Sequence, residues 1–151
     1  MFICVINVTS NTTIIIKQLR FYIQTKYLQT KMQDFKHLNV WQNSVNFHKA
    51  IIAELSKFPK NEEYAMGSQL RRASLSISNN IAEGCGKSTN REFKPYLLNA
   101  MGSCKEVEIM LNVAFELGYI AKPTFDKLNE DVNALGKQLN VFIKRISENE
   151  Q

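Results

Sequence analysis

Toward the C-terminus, Phe125, Leu128, Val132, Leu135, Leu139, Phe142 and Ile146 follow one another at alternating spacings of three and four residues. An apolar stripe sustained in this way marks a helix that buries one long side against other helices. A lone amphipathic helix has nothing to bury that side against, so the stripe calls for partners of the same kind upstream. Three further amphipathic segments supply them. The first runs from about Val40 to Phe58, where Trp41, Val45, His48, Ile52 and Leu55 form the expected inward stripe and Pro59 ends the helix. The second is expected from about Glu62, with Asn61 as its N-cap, to Gly84 and Gly86.

The third opens with a capping box, Thr89 with Glu92, and continues to Leu117 before Gly118. Pro95 should weaken or kink its first turns, because position 95 loses its backbone bond to Arg91. The fourth begins near Pro123. Four such helices joined by short connections, with no convincing strand pattern, predict an all-α, antiparallel up-down four-helix bundle over residues 32–151.

Residues 1–31 read differently. They hold Lys17, Arg20, Lys26 and Lys31 and no acid, so four of the chain's 19 basic residues lie there and none of its 14 acidic ones. The net charge of +5 therefore belongs mostly to this segment, and the body is nearly neutral. Charge alone does not make the body a strong nucleic-acid binder. The segment lacks the charged start, long apolar core and cleavage site of a secretory signal, and it has no apolar run long enough to span a bilayer. It is read as an extension outside the bundle, with Met32 as the expected true start.

Cys4, Cys85 and Cys104 are odd in number and show no ligand spacing, which suits buried or idle thiols in a reducing, cytoplasmic setting. His37 and His48 are too far apart for a two-histidine helical metal pair. The expected complement of metals and cofactors is none.

Within the second segment the run SLSISNNIAEG, Ser74 to Gly84, stands out. Serine and asparagine compete with the backbone for hydrogen bonds and are poor choices inside a helix. At 100° per residue, Met66, Leu70, Ala73, Ile77, Ile81 and Gly84 share one face, with Ser74 at its edge. Arg72, Ser76, Asn79 and Glu83 lie opposite, and Leu75, Ala82 and the stem of Arg71 lie between. In the third segment Phe93, Leu97, Ala100, Cys104, Val107, Leu111 and Ala114 point one way, and Gly102, Ile109 and Val113 the other. A second small or apolar stripe on two helices predicts burial on both sides, hence a homo-oligomer. Its interface is expected at Leu75, Ser76, Asn79, Ala82, Glu83, Gly102, Ile109 and Val113.

The runs LNVWQ (38–42), FPKNEEYAMGSQLRRA (58–73), SISNNIAEG (76–84), GSCKEVE (102–108) and ELGYI (116–120) occur in one order. Together they resemble the four-helix-bundle family of 23S rRNA intervening-sequence proteins, over about Phe35 to Ile146. The resemblance implies a small bacterial protein that assembles into a ring, typically a pentamer. Some members are encoded within insertions in 23S rRNA genes, and relatives serve reverse transcriptases as accessory factors. Where the family usually has proline this chain has Ser78, which should leave the second helix straighter. Pro95 stands at a commonly basic position, which removes one possible phosphate contact.

The function expected from all this is binding, not catalysis. Glu83, Glu92, Glu106 and Glu108, with Ser74, Ser76, Ser78 and Ser103, lie near the motifs without a histidine base among them. His48 falls on an apolar stripe and reads as a core or edge residue. Cys85 follows a helix C-terminus, which lowers no thiol pKa. GCGKST lacks the phosphate-loop spacing and follows a helix instead of a strand. Lys87, Arg91 and Lys94 are the expected RNA contacts, joined by Arg71 and Arg72, for which ion pairing with Glu106 or Glu108 of the same or a neighbouring subunit is the rival role. Structured RNA such as 23S rRNA is the expected partner. A protein scaffold without RNA contact, using Tyr96, Phe115 or Tyr119 as anchors, is the alternative, although Phe115 at least is expected in the core.

Overall fold

The computed structural model describes residues 34–148. The basic extension and the Met32 start lie outside the described residues. A 3₁₀ turn at Phe35–His37 leads into α1 (Asn39–Leu55), followed by a short α2 (Lys60–Tyr64), then α3 (Met66–Cys85), α4 (Asn90–Glu116) and α5 (Lys122–Glu148). No strand occurs among the described residues.

Local chemistry sets the helix ends. Thr89 Oγ1 accepts the Glu92 N–H and Glu92 Oε2 accepts the Thr89 N–H, both at 3.1 Å, so the capping box forms as expected. α4 runs unbroken through Pro95. At its other end Gly118 takes φ 74°, which lets Gly118 N–H reach Phe115 O at 2.9 Å and Tyr119 N–H reach Ala114 O at 2.8 Å. This is the paired closure that a left-handed glycine makes possible. Pro123 sits in the first turn of α5, where its missing N–H costs nothing.

The four long helices run antiparallel around one core, in the order α1, α3, α4, α5, so that α1 and α4 face each other across the diagonal. Bonds between side chains mark the register at three of the four seams: His48 to Ser74 at 2.8 Å, Ser76 to Ser103 at 3.0 Å, and Asn43 to Gln138 at 3.1 Å. Ile77, Ile81, Leu97, Val107 and Leu139 are fully buried at its centre. The expected inward faces of α3, α4 and α5 are the observed ones, with Met66, Phe125 and Phe142 half-buried at their margins.

The serines of SLSISNNIAEG divide by role. Ser74 and Ser78 are buried, and each donates to the carbonyl three residues back, Arg71 at 3.1 Å and Leu75 at 2.9 Å. Ser44 does the same to Trp41 at 2.6 Å. Each brings its own acceptor into the core, so a small polar residue there needs no partner from another helix. Among the described residues no buried side-chain polar atom lacks a hydrogen-bond partner.

Two expectations are corrected. The second segment is not one helix: Ala65, at φ −88° and ψ −91°, separates α2 from α3. α2 begins after Pro59, whose carbonyl takes the N–H groups of Glu62 and Glu63, so Asn61 lies inside the helix and does not cap it. In α1 the inward stripe is Val40, Ser44, Phe47, Ile51 and Leu55. Trp41, Val45 and His48 are only half-buried and Ile52 is exposed, so the expected face is turned by one residue, roughly 100°.

Candidate nucleic-acid interface

The turn from α3 into α4 is built on a close approach. Gly84 lies within α3 against the Phe93 ring, and a Cβ there would stand 2.3 Å from Phe93 Cδ2. Phe93 in turn meets Phe142 of α5 edge to face, with ring centroids 5.3 Å apart. Asn90 Nδ2 donates to Ile146 O at 3.2 Å, which ties the start of α4 to the end of α5. These contacts hold Lys87, Arg91 and Lys94 at one end of the bundle.

Lys87 is partly occupied. Its Nζ lies 4.7 Å from the Tyr96 ring centroid, a cation–π contact. The Tyr96 side chain, followed by the carboxylates of Glu83 and Glu92, holds the Lys87 ammonium above its usual pKa, so it stays charged. Arg91 is exposed and Lys94 half-buried, and neither forms an ion pair among the described residues.

Antiparallel packing brings further cations to this end: Lys36 from the turn before α1, and Lys144 and Arg145 from the last turns of α5. Opposed to them are Asp34, Glu83, Glu92 and Glu148. Two of those carboxylates are engaged by backbone, Asp34 capping the first turn and Glu92 closing the capping box. The sequence reading missed Lys36, Lys144 and Arg145 because only the pairing of helix ends joins residues so far apart in the chain. The structure does not bring Arg71 and Arg72 to this end; 15 residues of helical rise separate position 72 from 87, about 22 Å. Glu108, one of their expected partners, is held by Lys105 at 2.6 Å, and neither arginine forms an ion pair among the described residues.

Of the expected interface residues, Asn79, Glu83 and Gly102 are exposed, as are Leu75, Ile109 (64%) and Val113. Ala82 is half-buried. Ser76 is half-buried as well, bonded to Ser103 and to Asn80 Nδ2, both at 3.0 Å. The aromatic anchors weighed for a scaffold are partly internal. Phe115 stacks on Phe125 at 4.7 Å, and Tyr119 packs on Phe58 at 5.7 Å. Tyr64, 82% exposed beside the α2–α3 break, is the open aromatic that periodicity did not single out, since it belongs to no stripe.

The titratable groups nearest the core are poor catalysts. Burial, reinforced by the Asp34 charge, pushes the Cys85 thiol up to about 11, and burial pushes Cys104 up to about 12. Neither supplies thiolate at neutral pH. His48 Nδ1 and the Ser74 hydroxyl share a hydrogen bond of 2.8 Å, and the same hydroxyl lies 3.1 Å from Arg71 O. Burial first, then the Arg71 charge, holds the His48 pKa below 6.5.

The unfolded chain therefore binds a proton near pH 6.5 that the folded chain refuses. Stability is complete above that pH and falls as the pH drops below it. His48→Gln should flatten the pH dependence of the urea midpoint between about 6.5 and 5. An unchanged slope would assign the dependence to other groups.

A family model described as 23S rRNA-intervening sequence protein matches residues 36–141. Among solved structures, a protein of unknown function from the S23 ribosomal protein family of Bacteroides thetaiotaomicron VPI-5482 is similar, with a TM-score of 0.66 and 25% identity. That match covers 70% of this chain and 98% of the other. No curated protein matches. No helix among the described residues is long and apolar enough to cross a membrane.

Proposed function

Because the chain belongs to the 23S rRNA-intervening sequence protein family, we propose that it is a non-enzymatic cytoplasmic accessory factor that associates with structured RNA. In this reading it works as a ring-shaped homo-oligomer, with five subunits the expected number, and takes up the RNA backbone at the basic end of each bundle. The observation that carries the RNA role is the gathering of Lys36, Lys87, Arg91, Lys94, Lys144 and Arg145 at one end from separate parts of the chain. A single subunit with a nearly neutral body binds phosphate weakly. Repetition around a ring converts weak contacts into avidity without stronger individual sites.

Changing Lys87, Arg91 and Lys94 together to Glu tests this. The triple variant should keep the wild-type mass in solution and lose at least about tenfold in affinity for a 23S rRNA fragment at moderate salt. Equal retention of RNA by variant and wild type would remove the basic end from the account. It would favour the reading of a protein-binding scaffold, for which the exposed Tyr64 is the strongest observation.

A further inference from the structure

A cleft of about 360 Å³ lies between α1 and α5. Helical spacing sets its walls. Asn43, Asn46 and Phe47 share one face of α1, while Asp131, Ala134, Leu135 and Gln138 share one face of α5. Ala134 carries only a methyl group between Asp131 and Gln138, which leaves room where a longer side chain would reach across. Phe47 and Leu135 are buried and form the floor. The volume falls within the range of small-ligand sites, about 300–1,000 Å³, where an apolar floor with a few convergent polar groups is the usual build.

The polar groups of the lining are only partly spent. Asn43 Nδ2 donates to Gln138 Oε1 at 3.1 Å, which uses one N–H of the first carboxamide and one lone pair of the second. The Asn43 oxygen and the Gln138 N–H groups stay available, and Asn46 adds a third carboxamide one turn along α1, outside that bond. Lys127 Nζ donates to Asp131 Oδ1 at 2.6 Å and leaves Oδ2 open. The lining thus holds one cation and one anion, already paired with each other. A charged ligand must break that pair to gain a contact. An uncharged ligand with adjacent donors and acceptors needs only the carboxamides.

A nucleobase edge has that chemistry. Asn and Gln side chains pair bidentately with adenine, through its amino group and a neighbouring ring nitrogen, whereas guanine is matched by arginine or lysine. Among the described residues that line the cleft there is no arginine, and the one lysine is held by Asp131. Asp131 lies seven residues before Gln138, about 10 Å along the helix axis. Its open oxygen is placed to accept the hydroxyls of a ribose attached to the base, a role that suits a carboxylate. We propose that the α1/α5 cleft binds adenosine, with the base among the three carboxamides and the ribose against Asp131, either as the free nucleoside or as an unpaired adenosine of an RNA chain. The site is separate from the basic end and stands whether or not that end holds RNA backbone.

Calorimetric titration of adenosine into the full chain tests the proposal. One adenosine per subunit should bind saturably, with guanosine at least about tenfold weaker. Ala134→Trp, at an exposed position, fills the cleft and should abolish binding while the helical circular dichroism stays unchanged. Asn46→Leu should weaken adenosine about tenfold. The wild type should bind adenosine more tightly than 2′-deoxyadenosine, and Asp131→Ala should bind the two equally. The variant with Lys87, Arg91 and Lys94 changed to Glu should bind adenosine as the wild type does, which keeps the fate of the RNA reading apart from this one. Displacement of adenosine by a single-stranded oligoadenylate would identify an RNA residue as the occupant, and its failure to compete would identify the free nucleoside. No saturable binding at millimolar adenosine, equal binding of guanosine, or binding that survives Ala134→Trp would overturn the proposal.

Discussion

Ile51→Asp should abolish folding, whereas Ile52→Asp, one residue further on, should leave the subunit's helical content intact. Ile51 is 1% exposed inside the bundle and Ile52 is 36% exposed on the outer flank of α1. Replacing Ile51 removes about 1.5–3 kcal/mol of apolar burial. The carboxyl group left inside must be desolvated with no partner prepared for it, which adds about 2–7 kcal/mol as a neutral acid and more as an ion. The combined loss approaches the whole stability of a domain this size, about 5–15 kcal/mol. Far-ultraviolet circular dichroism should show an unfolded or aggregated Ile51→Asp chain. The same measurement should show a helical Ile52→Asp chain. Equal tolerance at both positions would contradict the placement of α1.

The second large effect is expected at Gly84. An added methyl group would stand 2.3 Å and 2.4 Å from two carbons of the Phe93 ring and 3.0 Å from Tyr96 Cβ. Phe93 is 8% exposed and braced against Phe142, so its ring cannot swing into solvent without loosening the contact between α4 and α5. Overpacking of this kind costs about 1–3 kcal/mol or more, against about 1 kcal/mol gained by replacing a helical glycine.

Gly84→Ala should therefore destabilise by about 2 kcal/mol net if the clash falls at the upper end of that range. Gly102→Ala, with nothing among the described residues within 4 Å of its added carbon, should stabilise by about 1 kcal/mol. Urea unfolding of both variants and the wild type at one protein concentration gives the comparison. Equal and positive shifts would mean that α3 and α4 do not meet as closely as described.

These two positions also show what sequence could and could not tell. The faces of α3, α4 and α5 were legible because one apolar residue per turn settles them: Ile77 and Ile81, Leu97 and Val107, Leu135 and Leu139. α1 was not, because it carries two apolar stripes a residue apart, and periodicity alone gives no means of choosing between them. Taking Trp41, Val45, His48 and Ile52 as the core face hides the buried Ser44. Gly84 marks the inward face and the helix end to within a residue, but nothing in the pattern shows that its missing side chain admits a ring from the next helix. The α2–α3 break at Ala65 has no glycine or proline at the break itself to announce it.

The candidate site was legible in part for a related reason. Lys87, Arg91 and Lys94 are close in sequence and share the α3–α4 turn. Lys36, Lys144 and Arg145 join them through the pairing of helix ends, which depends on connectivity and not on local pattern. Pairing of Arg71 and Arg72 with Glu106 or Glu108, of the same or a neighbouring subunit, is expected across two helices, and within the subunit no such ion pair occurs among the described residues. Lys105 holds Glu108 at 2.6 Å from three residues earlier on the same helix.

The most direct test of the account is light scattering of the full chain, followed by titration of a 23S rRNA fragment across a salt series. The subunit mass is 17.4 kDa, so the prediction is a discrete multiple of that mass. Its RNA affinity should fall steeply with salt, as displacement of several counterions requires. A 17.4 kDa monomer, or an oligomer to which the RNA does not bind at low salt, would contradict it.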